Sequence, residues 1–159
     1  MHYSSIQRVT KGRCNLQRIK IPFTVSREER AQIQESYLAG VQSADAEKVA
    51  YIGKNLPKVL RRLKKSEEIW HQQMAAVAEV FAFLLRKESG MSRTARKELV
   101  ASLYYLCHPF EVIPDYVPGR GYADDALVLN TCISRLRQLG FRLEAEDDAV
   151  QIVAEDTEV

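Results

Sequence analysis

The chain has 159 residues, of which 46% are hydrophobic and 28% charged, with a net charge of +2. That is the balance of an ordinary globular domain large enough to bury a core. No apolar run approaches the roughly 18–20 residues that span a bilayer, no N-terminal stretch reads as a signal peptide, and Cys14, Cys107 and Cys132 lack CxxC spacing. These features argue against a transmembrane segment, a disulfide framework and a Cys-ligated zinc site. The expectation is a cytoplasmic protein, with peripheral membrane contact as a variant.

Charge is uneven along the chain. Residues 1–65 carry fourteen Lys and Arg against five Asp and Glu, residues 66–143 carry nine of each, and residues 144–159 carry seven acids and no base. A basic front and an acidic tail can attract each other, within a chain or between copies. The alternative is a solvated helix face and a disordered acidic end.

Residues 1–25 show no helical period. "QRIKIPFTV" alternates like a short strand, demoted to an edge by Pro22. Ser26 and Glu29 form a capping box that opens a helix, with Ile33, Tyr37 and Leu38 on one face and Gly40 as its stop. Ser43 is placed to cap a second helix, whose apolar positions are Val49, Ile52 and Leu56. A break at Asn55 and a restart at Pro57 are expected, because proline suits a first turn. The restarted helix 57–65 turns Val59, Leu60 and Leu63 inward and Lys58, Arg61, Arg62, Lys64 and Lys65 outward.

The clearest helix follows Ser66, with Trp70, Met74, Val77, Phe81, Leu84 and Leu85 at three- and four-residue steps and Gly90 as its end. Ser92 caps the next helix, which runs to Pro109 on Leu99, Val100, Leu103, Leu106 and Cys107. A last helix carries Leu127, Val128, Cys132, Ile133, Leu136 and Leu139 and stops at Gly140. The acidic C-terminus holds "AVQIV", a strand candidate that would pair with "RIKIPFTV". The fold class is therefore mostly α: four to six helices, a Pro/Gly-rich corner between the last two long ones, and short strands near the termini. The organisation reads as an extension over 1–25, a helical domain over 26–143 and an acidic tail over 144–159.

The corner "HPFEVIPDYVPGRGYADDALVL", residues 108–129, holds three of the five prolines, two of the seven glycines and four carboxylates. The segment "SLYYLCHPFEVIPDYVPGRGYADDALVLNTCISRL" resembles the core of the YkvA-like family, small bacterial domains without an agreed biochemical function. Pro109, Ile113, Pro114, Asp115, Pro118, Gly121, Asp124 and Asp125 stand in the family register. His108 and Glu111 depart from it, standing where the family usually has Ser and Asp. The resemblance spans about residues 96–136. It implies no particular activity. It does imply a domain that is membrane-associated in some relatives and fused to other modules in others.

The residues of the corner read two ways. Pro109 ends a helix at His108, Pro118-Gly119 signals a type II turn, and Gly121 permits a close approach or a positive φ. Asp124 and Asp125 would then cap the last helix, and Asp115 would cap a turn. Alternatively Glu111, Asp115, Asp124 and Asp125 converge on Mg²⁺ or Ca²⁺, which take several oxygen ligands, or pair with Arg120, Arg96 or Arg93. A Cys107–His108 dyad is disfavoured, because adjacent helical residues point about 100° apart. His71 is expected at the surface.

No nucleophile elbow, metalloprotease motif, phosphate loop or dinucleotide fingerprint is present. The leading reading is a non-enzymatic helical module that binds a protein partner or another copy, with no cofactor. Its candidate residues are His108, Glu111, Asp115, Arg120, Gly121, Asp124 and Asp125. One alternative is a divalent cation on Asp115, Asp124 and Asp125, with a hydrolytic role. The other is contact of Lys58, Arg61, Arg62, Lys64 and Lys65 with nucleic acid or an anionic membrane.

Overall fold

In the computed structural model, residues 6–10, 18–22, 24–86, 91–108, 122–146 and 149–154 are described. Among them are five helices: α1 (Arg27–Gln42), α2 (Ala46–Lys65), α3 (Ile69–Arg86), α4 (Arg93–Cys107) and α5 (Ala123–Gln138). Three short strands accompany them: β1 (Ile6–Thr10), β2 (Phe141–Glu146) and β3 (Ala149–Ala154). The molecule is a small helical domain whose two ends meet in an antiparallel sheet of order β1-β3-β2. Val9 pairs with Val150, and Leu143 with Ile152. The expected partner of "AVQIV" is corrected by this register. It is β1, whereas residues 18–22 carry no strand.

Helix α1 begins with the expected box: the Glu29 amide donates to Ser26 Oγ and the Ser26 amide to Glu29 Oε1, each at 3.1 Å. It does not stop at Gly40. Gly40 faces Ala101 of α4, where a Cβ would make an ordinary contact at 3.5 Å, so it lies within the packed part of the helix. Ser43 closes α1 rather than opening α2, its hydroxyl donating to the Ala39 carbonyl at 3.0 Å. The cap of α2 is Asp45, whose carboxylate accepts from the Lys48 amide at 2.9 Å.

Helix α2 runs unbroken through Pro57, against the expected restart. An interior proline costs roughly 3 kcal/mol. Ile52, Leu56, Val59 and Leu63 lie four, three and four residues apart, and all are buried. Each buried side chain of that size returns about 1.5–3 kcal/mol, so a continuous stripe outweighs the local cost. The Gly53 carbonyl, which lacks the amide donor of residue 57, sits on an exposed residue where water can reach it.

Helix α4 is the central element, packed against all four other helices, and α3 packs against α2, α4 and α5. Met74, Val77, Val80, Phe81 and Leu84 are all fully buried, and the expected stripe is buried along its whole length. Helix α4 opens on Ser92, which accepts from the Ala95 amide at 3.1 Å, and closes at His108, whose ψ of 139° is extended as a following proline requires. Helix α5 ends where Gly140 takes φ 92°. Leu139, expected in its stripe, is the exposed closing residue. No described helix is long and apolar enough to cross a membrane.

Residues 18–22 are laid over the helices by side-chain tethers. Asn130 on α5 clasps both backbone groups of Ile19, accepting from its amide at 2.7 Å and donating to its carbonyl at 3.0 Å. Gln73 on α3 accepts from the Lys20 amide at 3.2 Å. Ile19 and Val25 are buried as a result.

Candidate functional site

Helices α4 and α5 flank the corner, and their adjoining ends are described. Glu111, Asp115, Arg120, Gly121, Pro109, Pro114 and Pro118 lie outside the described residues, as do Gly90 and Cys14.

On the α5 side, the helix begins without a side-chain cap. Tyr122 occupies the cap position with φ 73°, a left-handed conformation uncommon for a residue with a Cβ. The two aspartates fall inside the first turn, buried at 0% for Asp124 and 3% for Asp125. Asp124 accepts from the Tyr105 hydroxyl at 3.1 Å and from the Asp125 amide at 3.1 Å. The expected capping is thus partly corrected. One carboxylate does serve a first-turn amide, but it also ties α5 to α4 through Tyr105. A buried carboxylate at a helix N-terminus gains from the dipole as well.

On the α4 side, His108 stacks against Tyr104, with ring centroids 5.0 Å apart, and Tyr51 of α2 completes the cluster at 5.3 Å from Tyr104 and 6.0 Å from His108. Lys48 Nζ lies 5.3 Å from the centre of the Tyr104 ring. Burial, with the negative charge of Asp125, pushes the Cys107 thiol up to about 12. Burial likewise pushes Cys132 up to about 12. Both therefore stay protonated near neutrality and are poor nucleophiles.

The basic half of α2 reaches this same end of the bundle. Lys58, Arg61, Arg62, Lys64 and Lys65 are all exposed, as their spacing predicts. Arg62 Nη1 donates to the Tyr122 hydroxyl at 3.4 Å, and Lys64 pairs with Glu79 of α3. Lys58, Arg61 and Lys65 have no ion-pair partner among the described residues. His71 is not a surface residue. It is half-buried, with its ring 4.2 Å from Trp70 and 5.3 Å from Tyr122, and its Nδ1 lies 2.7 Å from Ser66 Oγ. Tyr122 thus joins two features that stand sixty residues apart in the chain, the basic helix and the start of α5.

Of the corner carboxylates only Asp124 and Asp125 are among the described residues, and neither Arg93 nor Arg96 pairs with them. Arg96 precedes Tyr105 by nine residues, about 14 Å along a helix, and donates instead to the Leu85 carbonyl at 3.3 Å. Among the described residues no group of three or more His, Cys, Asp or Glu is placed to hold a metal ion.

A second buried polar cluster was not read from the sequence. Glu98, 1% exposed, receives Arg135 Nε on both carboxylate oxygens and the Tyr37 hydroxyl on one. Burial above all, with Cys132 and Glu98 beside it, pushes the Tyr37 hydroxyl far above the usual phenol range. A signal did exist. Glu98 lies three residues after Ala95 and four before Ser102, so it shares the buried face of α4.

Residues 95–130 match the model of a family described as a protein of unknown function (DUF1232). The match takes in most of α4, the corner and the first half of α5, and so includes Glu98, Tyr105, Asp124, Asp125 and Asn130. No curated protein and no solved structure matches the chain.

Proposed function

We propose that this domain is a non-catalytic binding module of the YkvA-like kind, acting in the cytoplasm. Its contact surface is the end of the bundle where the basic half of α2 meets the start of α5. The observation that carries this reading is the Arg62–Tyr122 contact. It sets Lys58, Arg61 and Lys65, which have no ion-pair partner among the described residues, beside the family-matched segment. Protonated thiols and the absence of a recognised catalytic motif support binding over chemistry. Charge complementarity favours an acidic protein surface, including the acidic segment of a second copy.

The test is size-exclusion chromatography with light scattering, together with a pull-down using the wild type and the Arg61→Glu/Lys65→Glu variant. A retained protein partner or a dimer that is lost in the variant is expected. A strict monomer that retains nothing would sink the reading. Variant-sensitive retention on DNA or anionic vesicles, with no protein partner, would transfer the surface to a nucleic-acid or membrane role.

A second reading rests on the burial of adjacent carboxylates. Asp124 and Asp125 stand side by side and buried at the start of α5, and with Asp115 they would offer the carboxylate oxygens that Mg²⁺ or Ca²⁺ takes as ligands. Calorimetric titration of the wild type and of Asp124→Asn tests this. Neither heat nor a melting shift on adding Mg²⁺, Mn²⁺ or Ca²⁺ would exclude it.

A further inference from the structure

Two recesses adjoin along α2. A trough of about 240 Å³ runs between α2 and α3, with the buried side chains of Ile52, Leu56 and Leu85 among its lining. At Val49 it meets a wider recess of about 570 Å³ between the first turns of α2 and α4, walled by Arg93, Arg96 and Lys97. The trough is apolar except for Glu79, which is paired with Lys64. The mouth is cationic. Arg93 and Lys97 have no ion-pair partner among the described residues, and Arg96 donates to the Leu85 carbonyl. Asp45, the acid among the mouth's described lining residues, is engaged by the Lys48 amide.

We propose that this groove binds a single-chain anionic lipid, with the chain in the trough and a carboxylate or phosphate head among Arg93, Arg96 and Lys97. An arginine fork matches either head group. An extended peptide would press its amides against an aliphatic wall that offers them few partners, at a cost an alkyl chain does not incur. The site involves none of Lys58, Arg61 or Lys65, so it stands apart from the surface assigned above.

Calorimetry on the full chain, below micelle-forming concentrations, tests the proposal with dodecanoate, dodecyl phosphate, dodecanol and inorganic phosphate. Saturable binding of one or both anionic amphiphiles, about tenfold or more tighter than dodecanol or phosphate, is expected, and the two separate the carboxylate from the phosphate source. Arg93→Glu/Lys97→Glu should weaken that binding by about tenfold or more. Gly53→Phe is the independent probe. A Cβ at Gly53 meets nothing within 4 Å, so the ring can fill the trough without disturbing α2, and circular dichroism checks that it does. It should abolish amphiphile binding and leave any response to inorganic phosphate unchanged. Arg61→Glu/Lys65→Glu should leave amphiphile binding intact. No saturable binding, equal binding of dodecanol, indifference to Gly53→Phe, or uptake of an acidic helical peptide in place of the amphiphiles would each overturn the proposal.

Discussion

Arg135 Nε on α5 donates to both carboxylate oxygens of Glu98 on α4, at 2.8 and 2.9 Å. The two partners are not equivalent. The Arg135 side chain is 36% exposed and Glu98 is 1% exposed. Removing one therefore differs from removing the other. Arg135→Met strands a carboxylate in the core and should cost about 3 kcal/mol, as for a broken buried pair. Glu98→Gln keeps an acceptor for Tyr37 and leaves an arginine that can turn to water, so its cost should be about 1–2 kcal/mol. Urea denaturation of both variants checks the order, and a larger loss in Glu98→Gln would refute it.

The Asn130 clasp on Ile19 makes a more local prediction. Asn130→Leu removes both partners of a buried backbone unit, at about 1–3 kcal/mol for the groups left unsatisfied. The loss should concentrate in segment 18–25. Hydrogen exchange should show these amides opening while α3 and α4 keep their protection. Uniform loss of protection across the helices would show that the clasp instead supports the whole fold.

These two interactions also mark where the sequence stops being readable. Helical periodicity identified the buried faces of all five helices, since a stripe such as Trp70, Met74, Val77 and Phe81 depends on spacing alone. Periodicity does not say which polar residue on a face is buried, because Glu98 and Asn130 acquire partners only when α1, α5 and segment 18–22 arrive. The misplaced boundaries have a related cause. Gly40 and Pro57 are helix breakers by local preference, and both are overridden by the buried stripes of their helices, Ile33 and Tyr37 in α1 and Ile52 to Leu63 in α2. The aspartates at the start of α5 were readable as first-turn residues, but their complete burial beneath Tyr105 was not.

The two cysteines set an alkaline limit. Folding raises the thiols of Cys107 and Cys132 from the ordinary 9.0 to about 12. The folded state therefore holds protons that the unfolded state has released between these values. Stability from this source is complete below pH 9 and is lost as pH rises toward 12. Burial of the Tyr37 hydroxyl acts in the same direction. The urea midpoint should fall steadily above pH 9, and Cys132→Ala should have a shallower fall than the wild type. A midpoint flat from pH 8 to 11 would contradict the assignment. Alkylation by iodoacetamide at pH 8 should likewise be slow until the protein is unfolded.

Pro57 offers the converse case, a substitution that should stabilise. It sits in the interior of α2 with no amide to offer the Gly53 carbonyl, and its side chain is exposed. Pro57→Ala restores that hydrogen bond and removes a ring from the helix interior, so the folded state gains. The unfolded chain also gains freedom, which offsets about 0.4–1 kcal/mol of the benefit. Set against the roughly 3 kcal/mol cost of an interior proline, the net should be a gain of about 2 kcal/mol or slightly more, measured as a raised urea midpoint with unchanged slope. A loss of stability would mean that α2 is bent at this point in a way the straight helix of an alanine variant cannot match. Pro57 also lines the apolar trough. If Pro57→Ala stabilises the fold yet weakens binding of a dodecyl amphiphile, the proline is held there by the shape of the groove and not by the needs of the helix.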